Sequence, residues 1–406
     1  MSSPESSQGQ PTGRASVGLI GPARDREDLA RTFASCGFSV LEFDPERDSD
    51  PDAPAAGSSP PIASPVQLGE PDALVVCTPV VLTPARGADT RALAAAGRAV
   101  AGSLRRGQLV LLTGPAPPGT TRDVLLPPLA ATGLVCGRDF FLAHSVAAAA
   151  DGTRRVVGGL DEASTRAGVI LFARAGVGVT PLPSPEAAEV CGAVAQTVAT
   201  VRAAAANELK VVCDRLGVDV WEVLAASGEH ALSPTPGGCA PEPLLLVWGA
   251  RRWATSFRLL EIAAEINTAM PGHVITKMAD ALNDAGKSVR GSRIAILGVA
   301  YKKDADDPYE SPGCELMDHL LKKGGVVSYN DPHIPSLPRM RHRPRLAGME
   351  SQALAADYLA RQDCVLIATG HTAYDWNFIV RHSKLVVDTR NATSGVTSGR
   401  EKIVRA

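Results

Sequence analysis

The stretch GSRIAILGVAYKKDADD, residues 291–307, decides the fold of the second half of the chain. Four apolar residues, Ile294–Leu297, run directly into Gly298, and a tyrosine, two lysines and an acidic turn follow. A short apolar run that ends at a glycine is typical of a buried strand that turns at its carboxyl end. The stretch therefore predicts the first strand of an α/β domain.

Further apolar runs of strand length follow at separations that leave room for helices. They are Val326–Asn330, Val365–Thr369 and Leu385–Val387. Strands that alternate with helix-length segments favour a parallel sheet covered by helices. We therefore predict a Rossmann-like α/β domain over residues 289–406.

The first half of the chain begins like a dinucleotide-binding fold. The apolar run Val17–Ile20 ends at Gly21, a helix pattern follows, and a second run, Ser39–Phe43, ends at Asp44. In that fold the glycine allows close approach to a pyrophosphate and the acid holds a ribose hydroxyl. Asp44 is equally well explained as a plain turn residue. Further strands are predicted at Ala73–Cys77, Gln108–Leu112 and Phe140–Ala143.

Two segments without a strand pattern separate the two halves. Pro185–Arg215 is rich in alanine, the best helix former, and predicts one long helix. Arg251–Asn283 predicts a second helical stretch, interrupted near Pro271. The predicted organisation is a disordered tail over residues 1–15, a dinucleotide-binding Rossmann domain over 16–183, a central helical domain over 184–288, and the C-terminal Rossmann-like domain over 289–406.

Composition and charge exclude several classes of function. The 406 residues carry a net charge of −2, which gives no electrostatic case for nucleic acid or a membrane surface. No apolar run approaches the roughly 18 residues of a membrane span, and the polar N-terminus lacks a signal-peptide core. The eight cysteines are scattered and no histidine cluster has metal spacing, so we predict a reducing cytoplasm and no metal site.

Several motifs, in the right order, resemble the UDP-glucose/GDP-mannose dehydrogenase family of nucleotide-sugar 6-dehydrogenases. Within this family the motifs are most similar to those of the bacterial UDP-N-acetyl-sugar 6-dehydrogenases. The resemblance extends from Val17 to Asn391. The motifs are Tyr301-Lys302 in the opening stretch, EIAAEINTAMP at 261–271, Asp331-Pro332, Thr369-x-His371-x-x-Tyr374-Asp375 and Val387-Asp388-Thr389-Arg390-Asn391. Of these, His371 and Asp375 are better explained as structural residues of a turn.

The resemblance implies oxidation of the C6 alcohol of a UDP-sugar to a carboxylate by two NAD molecules, for polysaccharide biosynthesis. A cysteine thiolate captures the aldehyde, and a lysine and an asparagine stabilise the oxyanion. By resemblance Cys239 stands at the nucleophile position, and Glu242 replaces an aspartate of the same loop. Tyr301, Lys302 and Arg390 match positions that contact the nucleotide sugar.

Most of the remaining catalytic positions depart from the family pattern. The lysine is Gly192, the asparagine is Gln196, the threonine is Pro115, the acid is Ala147, and an arginine near the cofactor is Tyr309. Losing one oxyanion donor costs about 10²–10³ in rate. The dehydrogenase activity is therefore expected to be impaired or lost.

The cofactor loop departs from its pattern as well. Of the three glycines in Gly-x-Gly-x-x-Gly only Gly21 remains, while Ala23 and Arg26 fill the other two positions. Ala23 adds a methyl group where a pyrophosphate passes, and Arg26 puts a bulky charge at a tight helix–strand contact. NAD is the cofactor that the resemblance implies, and these substitutions weaken the expectation that it binds.

Three hypotheses remain open. The chain is an active dehydrogenase in which Cys239 works with a compensating group such as Glu186, Glu189 or His230. Alternatively, it is a catalytically dead relative that dimerises through the long helix and binds a UDP-sugar, with Cys239 a leftover thiol in a glycine turn. The third hypothesis is a structural partner that forms mixed oligomers with an active paralogue.

Overall fold

The computed structural model describes residues 15–44, 65–83, 87–148, 153–229, 232–237, 241–309, 311–340 and 343–406. The chain divides into two compact units. The N-terminal unit comprises Met1–Gln196 and Pro241–Phe257, and the C-terminal unit comprises Thr197–Ala240 and Arg258–Ala406. Almost all of the predicted tail lies outside the described residues, and the predicted domain boundaries remain a prediction.

Fourteen strands are present in the described residues. In the N-terminal unit they are β1 Ser16–Ile20, β2 Ser39–Phe43, β3 Ala73–Val76, β4 Val81–Leu82, β5 Ala88–Asp89, β6 Leu109–Thr113, β7 Phe141–Ala147, β8 Arg154–Gly159 and β9 Gly178–Leu182. In the C-terminal unit they are β10 Arg293–Leu297, β11 Val326–Asn330, β12 Cys364–Ile367, β13 Val386–Asp388 and β14 Ile403–Arg405.

Eleven α-helices accompany these strands in the part of the chain that the structure describes. They are α1 Ala23–Ser35, α2 Arg91–Ala101, α3 Leu126–Ala130, α4 Glu162–Arg174, α5 Pro185–Leu216, α6 Val220–Ser227, α7 Pro241–Arg251, α8 Arg258–Asp284, α9 Pro312–Lys322, α10 Ala356–Arg361 and α11 Trp376–His382.

The N-terminal unit is built on a seven-stranded sheet with the order β2-β1-β3-β6-β7-β8-β9. Neighbouring strands are parallel except for the pair β7 and β8. Successive residues of one strand enter different apolar clusters, as Leu111 and Leu112 of β6 show. Burial on both faces is why these strands have continuous apolar sequences.

The C-terminal unit is built on a five-stranded, wholly parallel sheet with the order β11-β10-β12-β13-β14. Its strands also place alternate residues in two apolar clusters, one on each face of the sheet. We call the edge at which the parallel strands of a sheet end its carboxyl edge. In open α/β sheets ligands bind outside this edge, at the point where the strand order reverses.

The predicted fold class is confirmed: the protein is α/β, with two Rossmann-like parallel sheets and central helices that include a long one. Helix α5 spans 32 residues and its bounds match the prediction to within one residue. The structure also contains β4, β5, β8, β9 and β14, which the sequence did not predict, and most of the ends of the predicted strands differ by one to a few residues. No helix of the described residues is long and apolar enough to cross a membrane.

The predicted interruption near Pro271 is wrong. Helix α8 runs unbroken from Arg258 to Asp284 with Pro271 inside it. Proline removes one backbone hydrogen bond, but buried residues on both sides, Met270 before it and Val274 after it, hold the helix in place. The predicted start at Arg251 is also wrong, because α7 ends there and the chain is not helical again until Arg258.

Candidate functional site

The carboxyl edge of the C-terminal sheet collects loops from four strands. After β10 the chain turns at Gly298, whose φ of +78° is a conformation that side chains rarely adopt. A Cβ atom at this position would overlap the carbonyl oxygen of Thr369, so glycine is required for the close approach of the two loops. The turn then carries Tyr301 and Lys302 away from the sheet.

Three residues predicted to bind substrate share this edge. The Lys302 amino nitrogen lies 5.7 Å from the ring centroid of Tyr301. The half-buried Arg390 follows β13 and donates from Nε to the carbonyl of Ala368 at 2.9 Å. Burial lowers the pKa of Arg390 to about 10, while Asp388 and Tyr301 oppose that shift, so Arg390 stays charged at neutral pH. The edge therefore presents two cations beside an aromatic ring.

A buried carboxylate, that of Asp331 after β11, organises these loops. One oxygen accepts hydrogen bonds from the amides of Val299 and Ala300, at 2.7 and 3.1 Å. The other accepts from the amides of His333 and Ile334, at 2.8 and 3.2 Å. Burial favours the neutral acid, but hydrogen bonds from His371 and these amides prevail and lower the pKa of Asp331.

The buried His371, after β12, joins two of these loops. Its Nε2 lies 3.1 Å from Asp331, and its Nδ1 accepts the amide N–H of Asp304 at 2.9 Å. Asp304 has a φ of +57° and accepts hydrogen bonds from the amide and hydroxyl of Thr372, at 2.8 and 2.5 Å. The structural role predicted for His371 thus extends beyond one turn. Asp375 caps α11 through the amide of Phe378, as predicted.

One potential metal-binding group was missed by the sequence analysis. Side-chain atoms of Asp304, His333 and His371 lie within 4.8 Å of one another. Each residue follows a different strand of one parallel sheet, which is the signal that could have found them. The Nδ1 atom of His371 and both oxygens of Asp304 already accept hydrogen bonds from the chain. The absence of a metal site remains a prediction.

The carboxyl edge of the N-terminal sheet brings together three of the substituted catalytic positions. Strands β6 and β7 are neighbours, with Thr113 opposite Ser145; Pro115 lies two residues beyond the end of β6, and Ala147 is the last residue of β7. On α5, a Cβ atom built at Gly192 would lie 2.9 Å from Cγ1 of Val146. The three positions therefore lie at or beside the carboxyl ends of β6 and β7, and proline, alanine and glycine supply no acid, base or cation there.

The two acids considered as compensating groups are held by a neighbouring turn. The buried Glu189 accepts hydrogen bonds from the amide of Gly119 at 2.6 Å and from the amide and hydroxyl of Thr121, at 2.8 and 2.7 Å. Burial raises the pKa of Glu189 to about 7 against these three donors. Glu186 pairs with Arg122 at 2.7 Å. Both carboxylates fasten the first turns of α5 to this turn.

The predicted cofactor residues lie where β1, β2 and α1 meet. Gly21 has a φ of +135°, and a Cβ atom there would lie 3.0 Å from the carbonyl carbon of Cys77. The buried Arg26 donates from Nε to Glu42 at 2.7 Å and lies 3.9 Å from Asp44. Its Nη1 also donates to the carbonyl oxygen of Gly21. The predicted ribose acid is thus beside an internal guanidinium.

The candidate nucleophile lies outside the described part of the chain. This holds for Cys239 and for His230, and Glu242 is described only by its backbone in the first turn of α7. Their predicted roles remain predictions.

The segment before Cys239 is held by two buried asparagines. The side chain of Asn207 accepts the amide of Thr235 at 2.8 Å and donates to Asn267 at 2.9 Å. The Asn267 amide nitrogen donates to the carbonyl of Thr200 at 3.0 Å. A Cβ atom at Gly237 would lie 2.6 Å from the Pro271 ring. The support of this loop is therefore intact.

Two sequence models of one family match this chain. The central domain of the UDP-glucose/GDP-mannose dehydrogenase family matches residues 186–269, and the UDP binding domain of the same family matches residues 295–395. The second match contains the edge with Tyr301, Lys302 and Arg390.

Individual proteins with similar sequences have related names. An NDP-N-acetyl-D-galactosaminuronic acid dehydrogenase of Ralstonia nicotianae is 28% identical over 354 residues, 80% of this chain and 79% of its own. A UDP-N-acetyl-D-mannosamine dehydrogenase of Pyrococcus horikoshii is 30% identical over 343 residues, 78% of this chain and 77% of its own. The solved structure of a UDP-D-ManNAc dehydrogenase from Pyrococcus horikoshii superposes with a TM-score of 0.77 at 23% identity, covering 93% of this chain and 96% of that one.

Proposed function

Because the chain belongs to the UDP-glucose/GDP-mannose dehydrogenase family, we propose that it binds a UDP-sugar in its C-terminal unit without oxidising it. The observation that carries this proposal is the convergence of Pro115, Ala147 and Gly192 at one carboxyl edge. By family resemblance these positions hold a threonine, an acid and a lysine. The chemistry is thus missing at the place where the fold would assemble it.

The surroundings of Gly192 argue against a neighbouring side chain that replaces the missing lysine. A side chain there would first have to displace Val146, which already fills the space. The acids closest along the chain, Glu186 and Glu189, are engaged by Arg122 and by the turn at Gly119. The oxyanion of a thioester-forming reaction would therefore lack its cation, and one missing donor alone costs about 10²–10³ in rate.

The C-terminal unit keeps the groups that a nucleoside diphosphate needs. Lysine and arginine recognise phosphate oxygens, and a tyrosine ring packs against a base or a sugar. Tyr301, Lys302 and Arg390 lie at the same edge; Asp331 and His371 hold the loop that carries Tyr301 and Lys302, and the carbonyl of Ala368 holds Arg390. The names of the relatives favour a UDP-N-acetyl-hexosamine as the sugar nucleotide.

A second copy of the chain is the proposed protein partner. In the C-terminal unit, α5 and α8 expose large apolar side chains at helical spacing, the kind of face that dimers cover. They are Val198, Leu209, Val212 and Leu216 on α5, and Leu259 and Ile262 on α8. The proposed compartment is the cytoplasm, supported by seven free cysteines among the described residues.

An active dehydrogenase is the alternative, and one observation favours it. The asparagine pair Asn207 and Asn267 still supports the loop that leads to Cys239. A well-held cysteine with Glu242 nearby in sequence would retain part of the family chemistry. The third possibility, a structural partner of an active paralogue, requires neither a UDP-sugar nor NAD.

Calorimetry and a turnover assay separate these functions. We expect UDP-N-acetylglucosamine or UDP-N-acetylmannosamine to bind the full-length protein, and no NAD reduction to follow at 340 nm. Lys302→Ala should weaken binding, whereas Lys303→Ala, a neighbouring exposed lysine, should not. Turnover that disappears in Cys239→Ser would establish the active enzyme instead. A folded protein that binds none of these nucleotides would leave the structural partner.

Sedimentation tests the proposed dimer. Val212→Glu places a charge in the centre of the exposed apolar face, so we expect it to shift the wild-type dimer to a monomer. Val326→Glu makes the same substitution at an exposed valine of β11, outside the proposed face, so it is the matched control and should remain dimeric. A wild-type protein that sediments as a monomer at high concentration would contradict the proposal.

A further inference from the structure

The place where a dinucleotide would enter the N-terminal unit is defined by three elements. β1 ends at Ile20, β2 ends at Phe43, and α1 begins at Ala23. In dinucleotide-binding folds the pyrophosphate lies at the N-terminus of this helix, and the acid after the second strand accepts hydrogen bonds from ribose hydroxyls. Here that acid is Asp44, and the turn after β1 is formed by Gly21.

Arg26 occupies this place from within the chain. Its side chain is only 6% exposed, and it reaches from α1 to the ends of both strands. Nε donates to Glu42 at 2.7 Å, Nη1 donates to the carbonyl of Gly21, and the guanidinium lies 3.9 Å from Asp44. One guanidinium thus contacts the ribose acid and the turn that a dinucleotide would approach.

The charges at this place oppose an anionic ligand. One guanidinium faces two carboxylates, those of Glu42 and Asp44, whose side chains are 12% and 19% exposed. A dinucleotide would bring a diphosphate close to these two carboxylates. A ribose that took the Asp44 oxygens would also weaken a buried ion pair, and a buried charge without its partner is strongly unfavourable.

We infer that Arg26 is a built-in occupant of the ribose position, and that it closes the N-terminal unit to NAD. The inference goes beyond the proposed function, since a chain without the oxidising groups could still bind the cofactor. It extends to NADP. In other proteins an arginine near the ribose binds the 2′-phosphate of NADP. Here the guanidinium is already held by Glu42 and Asp44.

Binding of NADH, followed by its fluorescence in the absence of any UDP-sugar, tests the inference on the full-length protein. We expect no binding to the wild type at millimolar NADH or NADPH, and no rise of Tm with NAD. Ala23→Gly with Arg26→Gly restores the two missing glycines and releases Asp44. This double variant should bind NADH and gain Tm in its presence.

Arg31→Gly is the matched control, since it removes an arginine of the same helix whose pair with Asp28 is exposed. It should leave the wild-type behaviour unchanged. NADH binding by the wild type would overturn the inference, whether or not the variants fold. A folded double variant that still fails to bind would show that Arg26 is not what closes the site. Neither result bears on UDP-sugar binding, so calorimetry tests that part of the proposed function separately; a chain that is closed to NAD would also show no NAD reduction.

Discussion

The carboxyl edges of the two sheets are built in the same way from strand ends and loops, but they carry different kinds of side chain. The edge of the C-terminal sheet holds a buried polar network, Asp331 with His371, beneath the exposed Lys302. At the edge of the N-terminal sheet, glycine, alanine and proline occupy the catalytic positions, and Arg26 pairs with acids of its own chain. A related fold thus presents the predicted substrate-binding residues at one edge and an internally paired arginine at the other.

The two buried histidines make the same contrast. His371 has an acceptor on one ring nitrogen and a donor on the other. His144, in β7 of the N-terminal sheet, is fully buried with no hydrogen-bond partner for either nitrogen among the described residues. Unsatisfied buried polar groups are costly and are concentrated where structure is not optimised for stability. The loops at the C-terminal edge bring hydrogen-bonding groups to both nitrogens of His371, whereas His144 lies within a strand, where its ring meets no such group among the described residues.

Removing the centre of the C-terminal network has the largest expected effect. Asp331→Ala leaves His371 and four amides without their acceptor, so we expect a loss of about 3–5 kcal/mol in the free energy of unfolding. Urea denaturation measures this. Asp357→Ala removes an exposed partner of Arg361 in the same unit and should change stability by less than about 0.5 kcal/mol. A cost below about 1 kcal/mol for Asp331→Ala would break the comparison.

The glycines after the first strand of each sheet come next. At Gly298 a Cβ atom would overlap a backbone oxygen, whereas at Gly21 its closest contacts are 3.0 Å. We expect Gly298→Ala to cost about 3 kcal/mol or more and Gly21→Ala about 1–2 kcal/mol, measured by thermal unfolding. Gly348→Ala isolates the backbone term, since its φ is +77° with no atom within 4 Å of the new methyl. Equal costs at Gly298 and Gly348 would contradict the overlap.

Acid should reveal the unpartnered histidine. Burial lowers the pKa of His144 to about 3, far below its value of about 6.5 in an unfolded chain. The unfolded state therefore binds the proton first, and stability that is present above pH 6.5 is lost as the pH falls toward 3. His144→Leu should flatten this slope by up to about 1.4 kcal/mol per pH unit between pH 6 and 4.

The stability of His144→Leu at neutral pH is a second test of the same contrast. There His144→Leu should stabilise the protein by about 1 kcal/mol, because it removes two unsatisfied buried polar atoms. His382→Leu, at a partly exposed position, is the control for the loss of an imidazole ring. A slope that is identical in wild type and His144→Leu would mean that the ring gains a proton in the folded state as readily as in the unfolded one.

Salt should have the smallest effect, and only at the C-terminal edge. Lys302 is exposed, so its attraction for a diphosphate is screened beyond about 8 Å at physiological ionic strength. We expect UDP-sugar binding to weaken a few-fold as salt rises, and Lys302→Ala to show a shallower dependence. Titration calorimetry at two salt concentrations measures both. If the affinity for the UDP-sugar depends on salt equally in the wild type and in Lys302→Ala, Lys302 does not contact the diphosphate.

Local sequence was enough to predict helices and strands whose own residues carry a clear helix or strand pattern. The alanine-rich α5 and the strands Ser39–Phe43 and Val326–Asn330 need no distant partner to be recognised. Pro271 shows the limit, because packing of its neighbours overrides the local preference of proline. Strand β8 shows another, since its two arginines and two glycines give no strand pattern.

The candidate site was predictable as a set of residues and not as a set of contacts. Tyr301, Lys302 and Arg390 were found by their motifs, and the structure brings them to one edge. The pair of His371 with Asp331 joins residues 40 positions apart, and that of Arg26 with Glu42 joins residues 16 apart. Side-chain direction after a strand end decides such pairs, and residue spacing does not encode it.

The Arg26 pair also bears on how the abundance of this protein depends on the supply of a dinucleotide. A protein that binds a dinucleotide gains stability in proportion to the logarithm of its supply, so its abundance falls when the supply falls. If Arg26 closes the chain to NAD, as inferred above, the folded fraction of the protein does not depend on the supply of that cofactor. Its steady level would then follow synthesis and the sugar nucleotide, with no contribution from the redox state.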